Sequence, residues 1–344
     1  MKKIDAVFEG GGVKGIGLVG AVAVIEENGY TFENVAGTSA GAIVASLVAA
    51  GYKAPELKQI LEQQDFRQFM DKDWEDKIPV VGSLISVIHE KGIYEGNFFE
   101  TWIRDLLAKK GILTFKDLII EECKDNPQYR YKLQVIASDL TSGRLLVLPG
   151  TSEDDWNYLR NTFGIEPDDL EVAKAVRMSM SIPFFFEPVQ LKNKKDEPHY
   201  IVDGGVLSNY PVWLFDSNSS DPAWPTFGYR LVASDLESEQ DQPNEVNGPI
   251  SMLKALFSTM MEAHDGRYMK SATFVRTIPI PSAEVKTTEF DLSEEKKMVL
   301  YQAGRKAAEK FLANWDFEKY KQEFRAKQPP SRTKEVWTEA NISA

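Results

Sequence analysis

Cysteine and histidine are scarce in this chain of 344 residues, which has one cysteine, Cys123, and three histidines. A single cysteine excludes an internal disulfide and fits a reducing compartment, although many secreted bacterial proteins also lack disulfides. The few histidines leave little choice for a histidine general base, the group that most often removes a proton in enzymes.

Long apolar runs are also absent from the sequence. No stretch approaches the roughly 18 consecutive apolar residues that a membrane-spanning helix needs. At the N-terminus, Lys2 and Lys3 precede only residues 4–8 before Glu9 and a glycine run, which is too short for a signal-peptide core. The sequence therefore predicts a cytoplasmic protein, with secretion through an unrecognised signal left open.

Basic residues are outnumbered, since 40 Lys and Arg face 52 Asp and Glu and the net charge is −12. This balance argues against nucleic acid as a partner, because Lys and Arg contacts to phosphate dominate that binding. It also argues against strong electrostatic docking on an anionic membrane. Transient contact with a neutral or zwitterionic lipid surface is left open.

Apolar residues make up 43% of the chain, enough for a large buried core. The first fifty residues predict strands at 4–8 and around 34–37, each followed by a glycine-containing turn. Mostly apolar helices are predicted next, at 13–28 and 40–50. Strand and helix in alternation predict an α/β fold with a mostly parallel central sheet sandwiched by helices.

The rest of the chain predicts further helices and strands without a convincing interdomain linker. Helices are expected at 57–64, 98–109, 168–180, 250–264 and 293–314, and strands at 131–139, 144–148, 200–203, 229–233 and 274–278. We expect a single domain over residues 1–325, followed by a polar tail at 326–344.

The sequence G-x-S-x-G occurs between the second strand and its helix, with Ser39 flanked by Gly37 and Gly41. A nucleophilic serine on such a sharp turn adopts a strained backbone and leaves no room for bulky neighbours two residues away. The turn also places its hydroxyl at a helix N-terminus, where oriented amides favour developing negative charge. The alternative is a plain serine N-cap.

A glycine-rich loop at residues 10–15 follows the first strand, and its unhindered amides can converge on an anion. The loop also fits G-x-G-x-x-G, but a dinucleotide site needs an acidic residue at the end of the second strand, and Glu33 precedes that strand. A P-loop is excluded because Ile16 stands where lysine is required. Two interpretations of the loop remain: an oxyanion hole, or a tight turn without a catalytic role.

Asp203 closes a predicted strand before Gly204 and Gly205, at the sheet edge where α/β sites gather. Taken alone, an aspartate before glycine is usually a turn former. A serine nucleophile, however, needs a proton acceptor, and Asp203 is placed to serve as one.

The three histidines are the rival proton acceptors. His89 lies in an irregular region, and His199 follows a polar stretch that predicts a surface loop. His264, on a late helix, is the best candidate for a triad, since the order serine, acid, histidine permits it. None of the three adjoins a clear strand end or a glycine turn.

Taken together, these segments resemble the patatin-like phospholipase family, whose signature is D-G-G-G-x-R/K-G, then G-x-S-x-G, then D-G-G/A. The chain reads E-G-G-G-V-K-G at 9–15, G-T-S-A-G at 37–41 and D-G-G at 203–205. Two further stretches, 137–140 and 175–188, are also similar to family members. The similarity spans residues 4–215, and only Glu9, where aspartate is common, departs from the signature.

The resemblance implies a three-layer fold and hydrolysis of lipid carboxyl esters by a dyad of Ser39 and Asp203, without metal or cofactor. Gly10, Gly11 and Gly12 would frame the oxyanion hole, and Lys14 would be the basic residue near the site. A general carboxylesterase or an acyltransferase on the same fold is the alternative. A non-catalytic module binding an anion or nucleotide is less favoured, because a phosphate cradle needs neither a serine nor an aspartate.

Apolar residues are dense between residues 80 and 102, in a segment that glycines interrupt at three positions. This pattern suits a flap over an acyl-binding cleft. The alternative is a short helix packed on the core.

Overall fold

The computed structural model describes residues 2–69, 96–183, 185–217, 219–232, 271–282 and 291–325, with 252, 285 and 289 as single residues. Its strands are β1 Lys2–Phe8, β2 Tyr30–Thr38, β3 Leu133–Asp139, β4 Arg144–Leu148, β5 Val189–Lys192, β6 Pro198–Asp203, β7 Thr226–Val232 and β8 Thr277–Pro281. Its α-helices are α1 Gly15–Glu27, α2 Ala40–Ala49, α3 Ala54–Gln63, α4 Asn97–Lys109, α5 Glu153–Tyr158, α6 Val172–Ser179, α7 Ser271–Val275, α8 Glu294–Asn314 and α9 Phe317–Tyr320.

The eight strands form one sheet in the order β5-β6-β3-β2-β1-β7-β8, with β4 paired to β3 outside this path. The central strands β3, β2, β1, β7 and β8 pair in parallel, whereas β4, β5 and β6 join in antiparallel fashion. Parallel pairing requires crossovers, and helices such as α1 and α2 supply them on the faces of the sheet. The predicted mostly parallel α/β fold is confirmed.

The sheet is buried on both faces, as expected for strands that read as continuous apolar runs. One face carries Val7, Ala36 and Ile136, which pack against the apolar side chains of the segment from Tyr210 to Phe215. Helices α1 and α2 are buried along almost their whole length in the main core. Helices α1 and α2 and the segment from Tyr210 to Phe215 thus pack against the strands whose ends carry the candidate site.

Helix α1 lies unusually close to α8, because both helices have glycine where they cross. A Cβ atom added to Gly20 would run into the backbone of Tyr301, and one added to Gly304 would run into the backbone of Gly17. The close approach anchors the helix that begins directly after the glycine loop. The position of that loop is therefore fixed by core packing.

One edge of β3 is shared by two strands that meet end to end. Ala137 pairs with Leu146 of β4 and also with Asp203 of β6. The preceding residue, Ile136, pairs with Val147 of β4 and also with Thr38 of β2. Since β4 occupies one edge of β3, the last residues of β2 and of β6 must be adjacent on the other edge. This arrangement brings the residue after Thr38 next to the end of β6.

Two details of the predicted elements were wrong. The strand expected at 274–278 begins at Thr277, because Phe274 and Val275 belong to the short helix α7 and are 56% and 39% exposed. An apolar run of this length does not distinguish a strand from a short helix. The edge strand β5 was not predicted, since it has only four residues with little apolar alternation.

Other predictions fall partly or wholly outside the described residues. These are most of the helix at 250–264, the tail at 326–344, residues 80–95 of the expected flap, and both His89 and His264. The described end of the flap segment is the first part of α4, where Phe99 is buried and Phe98 is 39% exposed. The division into one domain and a tail stays a prediction. In the described part of the chain, the structure contains no helix that meets both the length and the hydrophobicity of a membrane span.

Candidate active site

Ser39 occupies the sharp turn between β2 and α2 with φ 54° and ψ −128°. A positive φ is uncommon for a residue other than glycine and marks a strained position. Gly37 and Gly41 permit the turn, because a Cβ on Gly37 would run into the backbone of Gly41, and one on Gly41 would run into the carbonyl of Phe8. The predicted strand, turn and helix around Ser39 are confirmed.

Residues at the end of α6 hold Ser39 in this conformation. The backbone N–H of Ser39 donates to Ser179 Oγ at 2.9 Å. The Ser39 hydroxyl lies 3.7 Å from Met180 Sδ, to which it donates a weak hydrogen bond. Ser39 and Ser179 are 1% and 0% exposed, so these contacts are shielded from water.

Asp203, at the end of β6, is fully buried. Its Oδ1 accepts the Gly205 N–H at 2.8 Å, and its own N–H donates to the Ser181 carbonyl at 2.9 Å. Asp203 Oδ2 has no hydrogen-bond partner among the described residues. The carboxylate is thus fixed in place with one oxygen free.

Burial raises the pKa of Asp203 to about 7, while the nearby Ser39 hydroxyl and the Gly205 N–H act in the opposite direction. The hydroxyl is therefore close enough to stabilise the charged carboxylate. Its own donated bond goes to Met180, however, so a strong bond between Ser39 and Asp203 is not formed in this state. A carboxyl with a pKa near neutrality can both accept and release a proton.

The glycine loop passes directly beside Ser39. A Cβ atom added to Gly10 would lie 3.0 Å from Ser39 Cβ. The Gly10 N–H donates to the Asn209 carbonyl, and Asn209 Nδ2 donates to the Gly10 carbonyl, both at 3.2 Å. Gly10 therefore offers no free amide, whereas the amides of Gly11 and Gly12 have no acceptor among the described residues.

The sequence profile of the patatin-like phospholipase family matches residues 6–216, well over half of the chain. The chain belongs to this family. It is 40% identical to the uncharacterized protein YqhO of Bacillus subtilis (strain 168), over 91% of this chain and 99% of YqhO. It is 25% identical to the probable lipid hydrolase 463L of Invertebrate iridescent virus 6, over 60% of this chain and 61% of that protein.

A solved structure, VipD from Legionella pneumophila, is similar to 91% of this chain with a TM-score of 0.50 and 19% identity. The match covers 66% of the VipD chain. At this identity the likeness concerns the fold alone, and it agrees with the patatin-like arrangement of sheet and helices.

The acidic residue that opens the patatin-like signature has a structural role here. Glu9 is buried, accepts the Leu231 N–H and lies 3.6 Å from Arg230 Nε, so it ties the glycine loop to β7. Lys14 lies half-buried in the turn before α1. Its role as the basic residue of the site stays a prediction.

Arg177 and Ser179 were not singled out from the sequence, although both lie in the second stretch that is similar to patatin-like proteins. The buried guanidinium of Arg177 donates to Ser181 Oγ, and to the Glu187 carbonyl at 2.9 Å. Ser181 in turn accepts the Asp203 N–H. The sequence indicated this support of Asp203 only by an arginine within a mostly apolar helix.

His199 follows the mostly exposed turn at 193–197, as its position after a polar stretch predicted, and lies near the start of β6. Its Nδ1 lies 2.7 Å from Asp139 Oδ2, which also accepts the Ser142 hydroxyl at 2.7 Å. His199 and Asp203 are four residues apart on one strand, which separates them by roughly 13 Å. His199 therefore does not reach Ser39.

Removal of the Ser179 hydroxyl leaves the Ser39 N–H buried without an acceptor. We expect Ser179→Ala to lower kcat about tenfold, because an unmade buried bond costs about 1–3 kcal/mol and lets the turn relax. Steady-state kinetics on a soluble ester tests this. Ser46→Ala is the matched control, since Ser46 is a buried serine of α2 that bonds only within its helix. Equal activity of the two variants would contradict the role of Ser179.

The pKa of Asp203 also predicts how stability changes with pH. Because folding raises this pKa from 3.8 to about 7, the folded state binds more protons between these values, and Asp203 lowers stability as pH rises through this range. Asp203→Asn removes the titration, so we expect its melting temperature to exceed that of the unaltered protein at pH 8. The difference should shrink as the pH falls to about 4. A variant with lower stability at pH 8 would contradict the assignment.

Proposed function

We propose that this protein hydrolyses carboxyl esters of phospholipids or related glycerolipids through an acyl-enzyme on Ser39, with Asp203 as its proton acceptor. The observation that carries the proposal is the strained Ser39 turn beside a fully buried carboxylate that has one free oxygen. Strain and an unpartnered buried carboxylate both lower stability, and such features concentrate at functional sites.

In the first half of the reaction, Asp203 accepts the proton of Ser39 as the hydroxyl oxygen attacks the acyl carbon. The bond to the leaving alcohol then breaks, and Asp203 returns the proton to that alcohol. In the second half, Asp203 takes a proton from water as the water oxygen attacks the acyl-enzyme. The bond to Ser39 Oγ then breaks, Asp203 returns the proton to the serine oxygen, and the fatty acid leaves. A pKa of about 7 lets the carboxylate perform each transfer near neutral pH.

The negative charge on the carbonyl oxygen needs donors that are fixed before the reaction. The amides of Gly11 and Gly12 fit this role, because no described acceptor uses them and Gly10 holds the loop against Ser39. Loss of one such donor typically costs about 3 kcal/mol of transition-state stabilisation. Asn209 makes two hydrogen bonds with Gly10, one to its N–H and one to its carbonyl, and these bonds fix the position of the loop.

Lipid is favoured as the substrate class by membership of a family of phospholipases and by the name of the viral relative, a probable lipid hydrolase. The net charge of −12 favours apolar contact with the lipid over electrostatic attraction to an anionic surface. A non-catalytic anion-binding module is disfavoured, because the buried carboxylate of Asp203 would repel an anion beside Ser39.

The proposal is tested with three ester substrates: phosphatidylcholine in mixed micelles, an emulsified triacylglycerol and soluble p-nitrophenyl butyrate. Mass spectrometry of the released fatty acid, with the Ser39→Ala protein as the blank, gives the rate on each. We expect release from at least one of the two lipids. Cleavage of the soluble ester alone would point to a general carboxylesterase. Acyl transfer to added glycerol in preference to water would point to an acyltransferase.

A further inference from the structure

Two buried oxygen atoms beside Ser39 lack hydrogen-bond partners among the described residues, Asp203 Oδ2 and Asn209 Oδ1. Both residues are shielded from solvent, with Asp203 at 0% and Asn209 at 5% exposure. A buried acceptor without a donor is costly, by about 1–3 kcal/mol, and such atoms are rare in folded proteins. The pair therefore calls for a donor that is present in the working enzyme.

The orientation of the Asn209 amide is set by its neighbours. Its Nδ2 donates to the Gly10 carbonyl at 3.2 Å, and a flipped amide would place two oxygens against each other. Asn209 Oδ1 is consequently left as an acceptor. A Cβ atom built on Gly10 would collide with Asn209 Oδ1 and would lie 3.0 Å from Ser39 Cβ. Asn209 Oδ1 and Ser39 are therefore close neighbours of the same glycine.

Asp203 borders the same serine, since the Ser39 hydroxyl influences the carboxylate. Asp203 and the amide oxygen of Asn209 thus both lie near the nucleophile. The Ser39 hydroxyl, which donates to Met180 Sδ and lowers the pKa of Asp203, has no hydrogen left for either acceptor once it is acylated. A small molecule with two donors would satisfy both oxygens at once.

We propose that Asn209 Oδ1 and Asp203 Oδ2 together bind the water that hydrolyses the acyl-enzyme, an inference that rests on the proposed function. One O–H of this water donates to Asp203 and the other to Asn209, which leaves a lone pair for the acyl carbon. As the new C–O bond forms, Asp203 takes the first proton. The bond to Ser39 Oγ then breaks, and that proton passes to the serine oxygen.

This arrangement selects water over other acyl acceptors. An alcohol has a single O–H, so it can satisfy only one of the two buried oxygens and leaves the other unpaired. A site that holds a substrate by hydrogen bonds discriminates strongly against an analogue that lacks one of them. Asn209 is thereby a specificity-determining residue that makes the enzyme a hydrolase.

Asn209→Ala tests the inference by separating acylation from deacylation. Stopped-flow release of p-nitrophenol gives the acylation rate from the first turnover and the deacylation rate from the steady state. We expect deacylation to fall about 10–100-fold, the effect of one lost hydrogen bond to the reacting water. Acylation should fall by a smaller factor, from the lost bond between Asn209 Nδ2 and the Gly10 carbonyl. The bond from the Gly10 N–H to the Asn209 carbonyl is unaffected by the substitution, so one of the two bonds that fix the loop is kept.

The partition of the acyl group between water and added methanol supplies a second readout. The variant should form more methyl ester than the unaltered enzyme at the same methanol concentration. Equal slowing of both steps with an unchanged partition would show that Asn209 only holds the glycine loop. In that case Ser39 would still carry the acyl group and the proposed function would stand, whereas full activity of Ser39→Ala would remove both.

A crystal structure of the unaltered protein at high resolution tests the same inference if Asn209→Ala does not fold. We expect one ordered water within hydrogen-bond distance of both Asp203 Oδ2 and Asn209 Oδ1. A protein donor on Asn209 Oδ1, or the absence of a shared water, would contradict it.

Discussion

Ser39→Ala is expected to lower kcat/KM on p-nitrophenyl butyrate by at least about 10⁴-fold, the scale seen when a serine nucleophile is removed. The substitution deletes only the attacking oxygen. Alanine tolerates the positive φ no worse than serine does, and the Ser39 N–H keeps its bond to Ser179. The fold should therefore survive, with a melting temperature close to that of the unaltered protein.

The control for this variant is again Ser46→Ala, which removes a buried hydroxyl about two turns further along α2. It should retain nearly full activity, because the Ser46 hydroxyl donates to the Ile43 carbonyl of its own helix. Substantial turnover by Ser39→Ala, measured at enzyme concentrations that exclude contamination, would remove Ser39 from the mechanism.

Asp203→Asn is expected to be nearly as damaging, with a loss of about 10³-fold or more, because the amide cannot accept the serine proton. In the unaltered enzyme, kcat/KM should rise with pH and level off above a pKa of about 7, since the carboxylate is the active form. The double variant should be no slower than the slower single variant, because residues that act as one unit are not additive.

His199→Ala is the matched control for this second prediction, because His199 lies on the same strand as Asp203 but contacts Asp139. We expect it to lower the melting temperature and to leave kcat/KM within a few-fold of the unaltered enzyme. A collapse of activity in a folded His199→Ala protein would instead make a histidine part of the proton transfer.

The elements around Ser39 could be predicted because their rules are local. An apolar strand, two glycines two residues from a serine and an all-apolar helix define the turn without knowledge of distant residues. The same holds for the glycine loop after β1. Asp203 was singled out by its place at a strand end before two glycines, by the need for a proton acceptor and by the D-G-G motif of the resemblance.

The geometry that joins these parts depends on long-range pairing. Ser39 and Asp203 meet because β2 and β6 share one edge of β3, and no pattern within either strand encodes that register. Asn209 was not predicted, since an asparagine after a glycine-rich turn is a common loop residue. The contact between His199 and Asp139 could not be predicted either, because the two residues are 60 positions apart in the sequence.

The sharpest test of the account is covalent labelling of the nucleophile. Purified protein is treated with a fluorescent fluorophosphonate, digested and mapped by tandem mass spectrometry, with Ser39→Ala and Asp203→Asn in parallel. We predict one label per chain on Ser39, none on the Ser39→Ala protein, and strongly slowed labelling of Asp203→Asn. A label on another serine, or equal labelling of all three proteins, would contradict the central claim that Ser39 and Asp203 form the catalytic pair.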